Sequence, residues 1–249
     1  MSAAVDINLI TYLIAIAFGV YAILSWRRAG ASVAAGLGLS ADSRAARDFV
    51  VGVAITSAVM LAILAVELAL GGVRVTRVPF AAGAAAKAGL ALIIQGGVDE
   101  LLMRGMLISG LALALGGRRL AAVLIASVLF GLAHMFFKGA SGESVISNAI
   151  GGITYGLAFI LTGRIWLGLG LHFAWNFAEG PLLGFPVSGY DFGAGVFHIA
   201  DLGPVWMTGG AYGPEGGVVG IAFRFVVIAA VLAWVRFGPQ QTELGRGNV

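Results

Sequence analysis

The chain has 249 residues, of which 59% are hydrophobic and only 11% charged, and its mean hydropathy is +0.98. That balance is far too apolar for a soluble domain and predicts a polytopic membrane protein. The net charge of +3 comes from few basic residues spread over loops, which carries orientation information rather than nucleic-acid affinity, and the absence of cysteine excludes disulfides and thiolate metal sites. Runs of about 20 apolar residues match the thickness of a bilayer, and no alternating ten-residue segments suggest an outer-membrane barrel. The expected fold is therefore all-α: one transmembrane helical bundle over residues 1–236 with seven to eight spans, followed by a polar tail at 237–249.

In chain order, Ile7 to Leu24 reads as an uncleaved anchor, with Asp6 before it and Arg27-Arg28 after it. The loop Ser25 to Asp48 carries Arg27, Arg28, Arg44 and Arg47, and a second span runs from about Phe49 to Leu70, with Glu67 near its end expected to snorkel or pair. Pro79 to Leu115 contains no polar loop and is longer than one straight span needs. It reads as one long tilted helix or a helix broken at Gly96-Gly97, where paired glycines weaken a helix interior.

Spans then follow at about Leu120 to Phe137, Val145 to Leu161 and Ile165 to Phe177, separated by turns at Gly116-Gly117-Arg118-Arg119 and Thr162-Gly163-Arg164 and a loop at Lys138 to Ser144. Pro181 to Gly217, rich in glycine, proline and aromatics, reads as an ordered interfacial loop; it follows no strand, so it is not a phosphate cradle. A last span covers about Val218 to Val235. His198, Lys87 and Arg224 are read as interfacial, snorkelling or paired residues outside any site. Close packing between membrane helices accounts for most of the 39 glycines.

Against this background Asp99-Glu100-Leu101-Leu102-Met103-Arg104 stands out, because charge at membrane depth is costly and usually serves a site. On a helix, residues four apart share a face while neighbours splay by about 100°. Glu100 is therefore expected to pair with Arg104, and Asp99 to point elsewhere. Two further pairs at the same spacing, Phe130 with His134 and His172 with Asn176, each present one face. At 1.5 Å rise per residue, Asp99 and His134 both lie roughly 23 to 26 Å from the turn at 116–119, whereas His172 comes out some 10 Å shallower, with Asn176 closing part of the gap.

These three motifs, Asp99-Glu100-x-x-x-Arg104, Phe130-x-x-x-His134 and His172-x-x-x-Asn176, occur in the order and on the successive helices that mark the CAAX-protease and bacteriocin-processing (Abi) family of intramembrane endopeptidases, which includes the type II CAAX prenyl endopeptidases. The chain resembles that family from about residue 95 to 177, including the flanks Leu129-Phe130-Gly131-Leu132-Ala133-His134 and Leu161-Thr162-Gly163-Arg164-Ile165-Trp166. The family's first acidic position is Glu; here it is Asp99, one methylene shorter, which bears on activity because small positioning errors are costly.

The resemblance implies hydrolysis of a peptide bond in a membrane-associated protein or peptide, through CAAX-type processing or peptide maturation. Asp99 and His134 would activate water, His172 and Asn176 would hold the oxyanion, and Glu100, Arg104 and Phe130 would shape the site. No cofactor is required in that reading. An alternative is a zinc endopeptidase using His134, His172 and Glu100; another is a non-catalytic scaffold or chaperone that binds peptides in the same polar cavity. The expected location is the plasma membrane of a bacterium, multi-pass, with the arginine-bearing turns cytoplasmic. The depth estimate then sets the catalytic mouth nearer the outer side, opposite to the side from which the family's CAAX-processing members work.

Overall fold

The computed structural model describes residues 7–193 and 195–238; Asp6 and the polar tail after residue 238 lie outside the described residues. Helix α1 spans Ile7–Arg28, a short α2 spans Val33–Gly36, and α3 spans Ser43–Ala69. Asp42 caps α3, accepting hydrogen bonds from the amides of Arg44 and Ala45 and so satisfying donors that a helix start leaves open. The Ala45 amide in turn holds the Asp42 carboxyl below the usual carboxylate range. Strand β1 (Val73–Arg77) follows, then α4 (Ala82–Glu100), which continues without interruption through a π-helical segment (Leu101–Ile108) into α5 (Ser109–Ala114). The long apolar stretch is thus one helix. Its irregularity is the π segment immediately after Glu100, and it is not broken at Gly96-Gly97.

The remaining helices are α6 (Arg119–Ala133), α7 (Gly142–Thr162), α8 (Trp166–Phe177), short α9 (Val205–Thr208) and α10 (Val218–Phe237). Among the described residues, α1, α3, α7 and α10 are long and apolar enough to cross a membrane, and α6 is a shorter apolar helix. The chain is mostly helical and is an integral membrane protein. The interfacial segment after α8 is more structured than a loop: a π turn at Ala178–Leu182, then strand β2 (Phe197–Asp201), then α9 and two 3-10 turns. Strands β1 and β2 pair antiparallel with Val73 opposite Asp201 and Arg77 opposite Phe197, which adds a small sheet to an otherwise helical fold.

Two apolar clusters hold the bundle. One packs α3, α7, α8 and α10 around Met60, Ile63, Leu167, Leu171 and Val231; the other packs α1, the π segment and α6 around Ala15, Leu107, Ile108 and Val123. Helices α3 and α8 meet at Gly52 and Gly170. A Cβ at Gly170 would fall 2.2 Å from the Phe49 carbonyl oxygen, and one at Gly52 would fall 2.6 Å from that of Leu167. Small residues at a membrane-helix crossing permit this approach.

The two ends of the bundle differ. At one end Asp48, fully buried, accepts from the Arg164 Nη2 at 2.6 Å and from the Trp234 indole at 3.1 Å, while Trp166 donates to the Ser40 carbonyl. The turn at Gly116-Gly117, α2 and the α7–α8 turn meet there, around a cavity lined by Trp26, Gly36, Gly117 and Gly163. The opposite end carries the two-stranded sheet, the loop after α6 and the whole 178–217 segment.

Candidate active site

The π segment begins one residue after Glu100, so the acidic motif sits where the helix changes pitch. Such segments are rare and occur often at functional sites. Glu100 is fully buried and its Oε1 lies 3.1 Å from the Arg104 Nη1, the pairing expected from the four-residue spacing. The same oxygen lies 3.1 Å from the His172 Nδ1, so the second carboxylate is taken up by two partners on different helices. Arg104, 1% exposed, is also sandwiched between the rings of Phe130 and Tyr155, its guanidinium carbon 4.9 Å from each centroid. A desolvated ion pair is tolerable only when so many contacts are made. Helix α8 approaches closely because it offers Gly168 here; a Cβ at that position would lie 2.7 Å from the Glu100 Oε2.

Asp99, as expected, faces elsewhere. It lines a cavity of about 330 Å³ together with His134, His172, Asn176, Phe130 and Tyr155. The structure thus brings together Asp99, His134, His172 and Asn176 around one space, with Glu100 and Arg104 behind His172. The expected shallowness of His172 is corrected. The turn before α8 is inset, since residues 26–40 cover it and the Ile165 amide donates to the Gly38 carbonyl, and Ile165 and Leu167 are buried. Counting residues from that turn therefore underestimates the depth.

His134 closes α6 as its C-terminal cap, and its Nδ1 lies 2.7 Å from the Phe130 carbonyl oxygen. A carbonyl only accepts, so Nδ1 carries the proton and Nε2 of the neutral ring keeps its lone pair. The same logic applies to His172: Nδ1–H donates to Glu100, and Nε2 becomes a donor only in the imidazolium form. The His172 ring also stacks on Tyr155 at 5.0 Å, which fixes its plane. Among the described residues, no group of three or more His, Asp or Glu could hold a metal ion. Glu100, the carboxylate of the zinc alternative, is committed to Arg104 and His172 and does not line the cavity.

Three features of the site were not readable from the motifs. The Tyr12 hydroxyl of α1 donates to Asp99 Oδ1 at 2.6 Å. Across the cavity, Glu215 Oε2 accepts from the Trp175 indole and from Arg224 Nη2, both at 3.0 Å, and its Oε1 accepts from the Ser188 hydroxyl at 2.5 Å. Arg224 also donates to Ser147 and stacks over Trp175 at 4.1 Å. It pairs, as expected, but it lines the cavity instead of lying outside the site. Glu67, expected to snorkel or pair, does neither: it is fully buried and, among the described residues, both carboxylate oxygens lack a hydrogen-bond partner. His198 sits exposed on β2, away from the cavity.

No curated protein and no solved structure matches the chain. Residues 81–178 match the family model described as type II CAAX prenyl endopeptidase Rce1-like, a stretch that contains all seven motif residues from Asp99 to Asn176 and neither Tyr12, Glu215 nor Arg224. By that match the chain carries an Rce1-like domain, similar to the type II CAAX prenyl endopeptidases.

Proposed function

We propose that the chain is an intramembrane endopeptidase that hydrolyses a peptide bond of a membrane-associated protein or peptide inside the cavity between α4, α6, α8 and the 183–196 loop. The observation that carries this reading is the division of labour between adjacent carboxylates. Glu100 is bound to Arg104 and His172, while Asp99 faces the cavity beside a histidine whose Nε2 is left as a base.

Asp99 and His134 take a proton from water as its oxygen attacks the carbonyl carbon of the scissile bond. Negative charge develops on the carbonyl oxygen, and protonated His172, held by Glu100, donates to it from Nε2 together with the Asn176 amide. The C–N bond breaks as the proton passes to the leaving nitrogen. Tyr12 fixes the rotamer of the shorter aspartate, and Glu100 and Arg104 hold the helix that carries it. The commitment of Glu100 supports a metal-free version over a zinc version. The helix running from Ala82 to Ala114, with α6 and α8, would cross the membrane alongside the four long apolar helices, giving seven spans.

N-terminal proteomics on membranes from cells expressing wild type, Asp99→Asn or His134→Ala at matched levels tests the reading. New termini confined to wild type are expected. Identical termini in all three, with each protein folded, would sink it and favour a peptide-binding scaffold.

A further inference from the structure

Among the described residues, the basic side chains are distributed unevenly between the two ends of the bundle. Of the fourteen Lys and Arg among the described residues, eight (Arg27, Arg28, Arg44, Arg47, Arg118, Arg119, Arg164 and Arg236) belong to the end where α2, the α5–α6 turn and the α7–α8 turn meet. That end is tied together by the Arg164–Asp48 and Trp234–Asp48 contacts. The opposite end carries Arg74, Arg77, Lys87 and Lys138, and Arg104 and Arg224 are interior. All eight lie in short connections or within a turn of a helix end, where an excess of Lys and Arg marks the cytoplasmic side.

The cavity is lined at its outer rim by Phe137, Val187, Ser188, Tyr190 and Phe192, which belong to the opposite end. Tyr190 is 64% exposed and its ring meets Phe137 edge-on at 6.1 Å. This rim is anchored: Val187 and Tyr190 form an isolated bridge, the Gly189 amide donates to the Tyr212 carbonyl, and Ser188 binds Glu215. At the arginine end the floor beneath the cavity is closed by the buried Glu100–Arg104 pair and by Met103, Leu107 and Ile108.

We propose that the cavity opens to the non-cytoplasmic face, so that its substrates are membrane-anchored or exported polypeptides whose scissile segment is presented on that face. This rests on the proteolytic reading. The aromatic rim of Phe137, Tyr190 and Phe192 seats an apolar side chain of an unwound segment, and the Glu215–Arg224 pair meets its backbone. A C-terminal segment displayed in the cytosol cannot reach Asp99 from the arginine end.

The chain has no cysteine, so single-cysteine variants report topology without background. Asp191→Cys, on the exposed rim loop, and Ala29→Cys, exposed just past Arg28, are treated with a membrane-impermeant maleimide in intact cells and again after permeabilisation. Labelling of Asp191→Cys in intact cells, with Ala29→Cys labelled only after permeabilisation, is expected; Leu202→Cys, also exposed at the rim end, repeats the first result should Asp191→Cys misfold. Labelling of Ala29→Cys in intact cells, or protection of both rim positions, overturns the proposal. New Asp99-dependent termini should map to non-cytoplasmic segments of their proteins, and termini in cytosolic C-terminal segments overturn it as well. Expected labelling without any Asp99-dependent termini would remove the protease reading and with it the substrate assignment, while leaving the orientation in place.

Discussion

The two walls of the cavity each bury an Arg–Glu pair, and they are built in different ways. On the motif wall, Glu100 and Arg104 are four residues apart on one helix, and the pair is locked by His172, Phe130 and Tyr155. On the facing wall, Glu215 precedes α10 and Arg224 lies within it, and Glu215 gathers donors from α8, from the rim loop and from α10. The first pair fixes a helix; the second fixes a loop. The motif wall is therefore tied within the helix bundle, whereas the facing wall clasps the rim loop to α8 and α10.

Breaking the motif wall should have the larger structural effect. Arg104→Met leaves the fully buried Glu100 carboxylate with His172 but without its arginine, and removal of one partner from a buried pair costs about 3–5 kcal/mol; thermal unfolding in detergent should show a large drop in midpoint together with lost cleavage. Glu215→Leu should act differently. It releases Trp175, Ser188 and Arg224 at once, so the expected result is a loss of stability at the low end of that range, about 3 kcal/mol, read as a smaller drop in midpoint, with limited proteolysis appearing inside residues 183–217 before the helices are cut. Cutting within the helices first would show that the clasp holds the bundle and not the loop. The mildest change is Tyr12→Phe, which deletes one hydrogen bond to a carboxylate, worth about 1.5–3 kcal/mol. It should lower cleavage roughly tenfold with little change in substrate KM; unchanged turnover would make the Tyr12 contact incidental.

The same contrast explains what could be read in the sequence. Helix positions, the Glu100–Arg104 pairing and the turning of Asp99 away from that pair follow from a 3.6-residue period and from the cost of charge among apolar neighbours. Contacts between distant segments have no such signal. Arg224 looked like a snorkelling residue because its partner Glu215 sits in a glycine-rich segment without periodicity, and Tyr12 lies 87 residues from Asp99. The sheet was hidden because Val73–Arg77 and Phe197–Asp201 are short and pair across about half of the chain. The π segment left no mark, since Leu101 to Ile108 has the composition of an ordinary membrane helix. Glu67 was misjudged because its position near a helix end suggested access to water that the packed β1–β2 end denies it.

Two neighbouring carboxylates with different jobs should respond differently to neutralisation, and a paired measurement on Asp99→Asn and Glu100→Gln separates them. Both variants are purified and compared with wild type for thermal midpoint and for cleavage of a substrate identified from wild-type-specific termini. Asp99→Asn should keep a near-wild-type midpoint and lose cleavage by roughly 10²–10⁴-fold, the range for a general base, while Glu100→Gln should lose stability as well. Full cleavage by Asp99→Asn would remove Asp99 as the base and pass that role to Glu100.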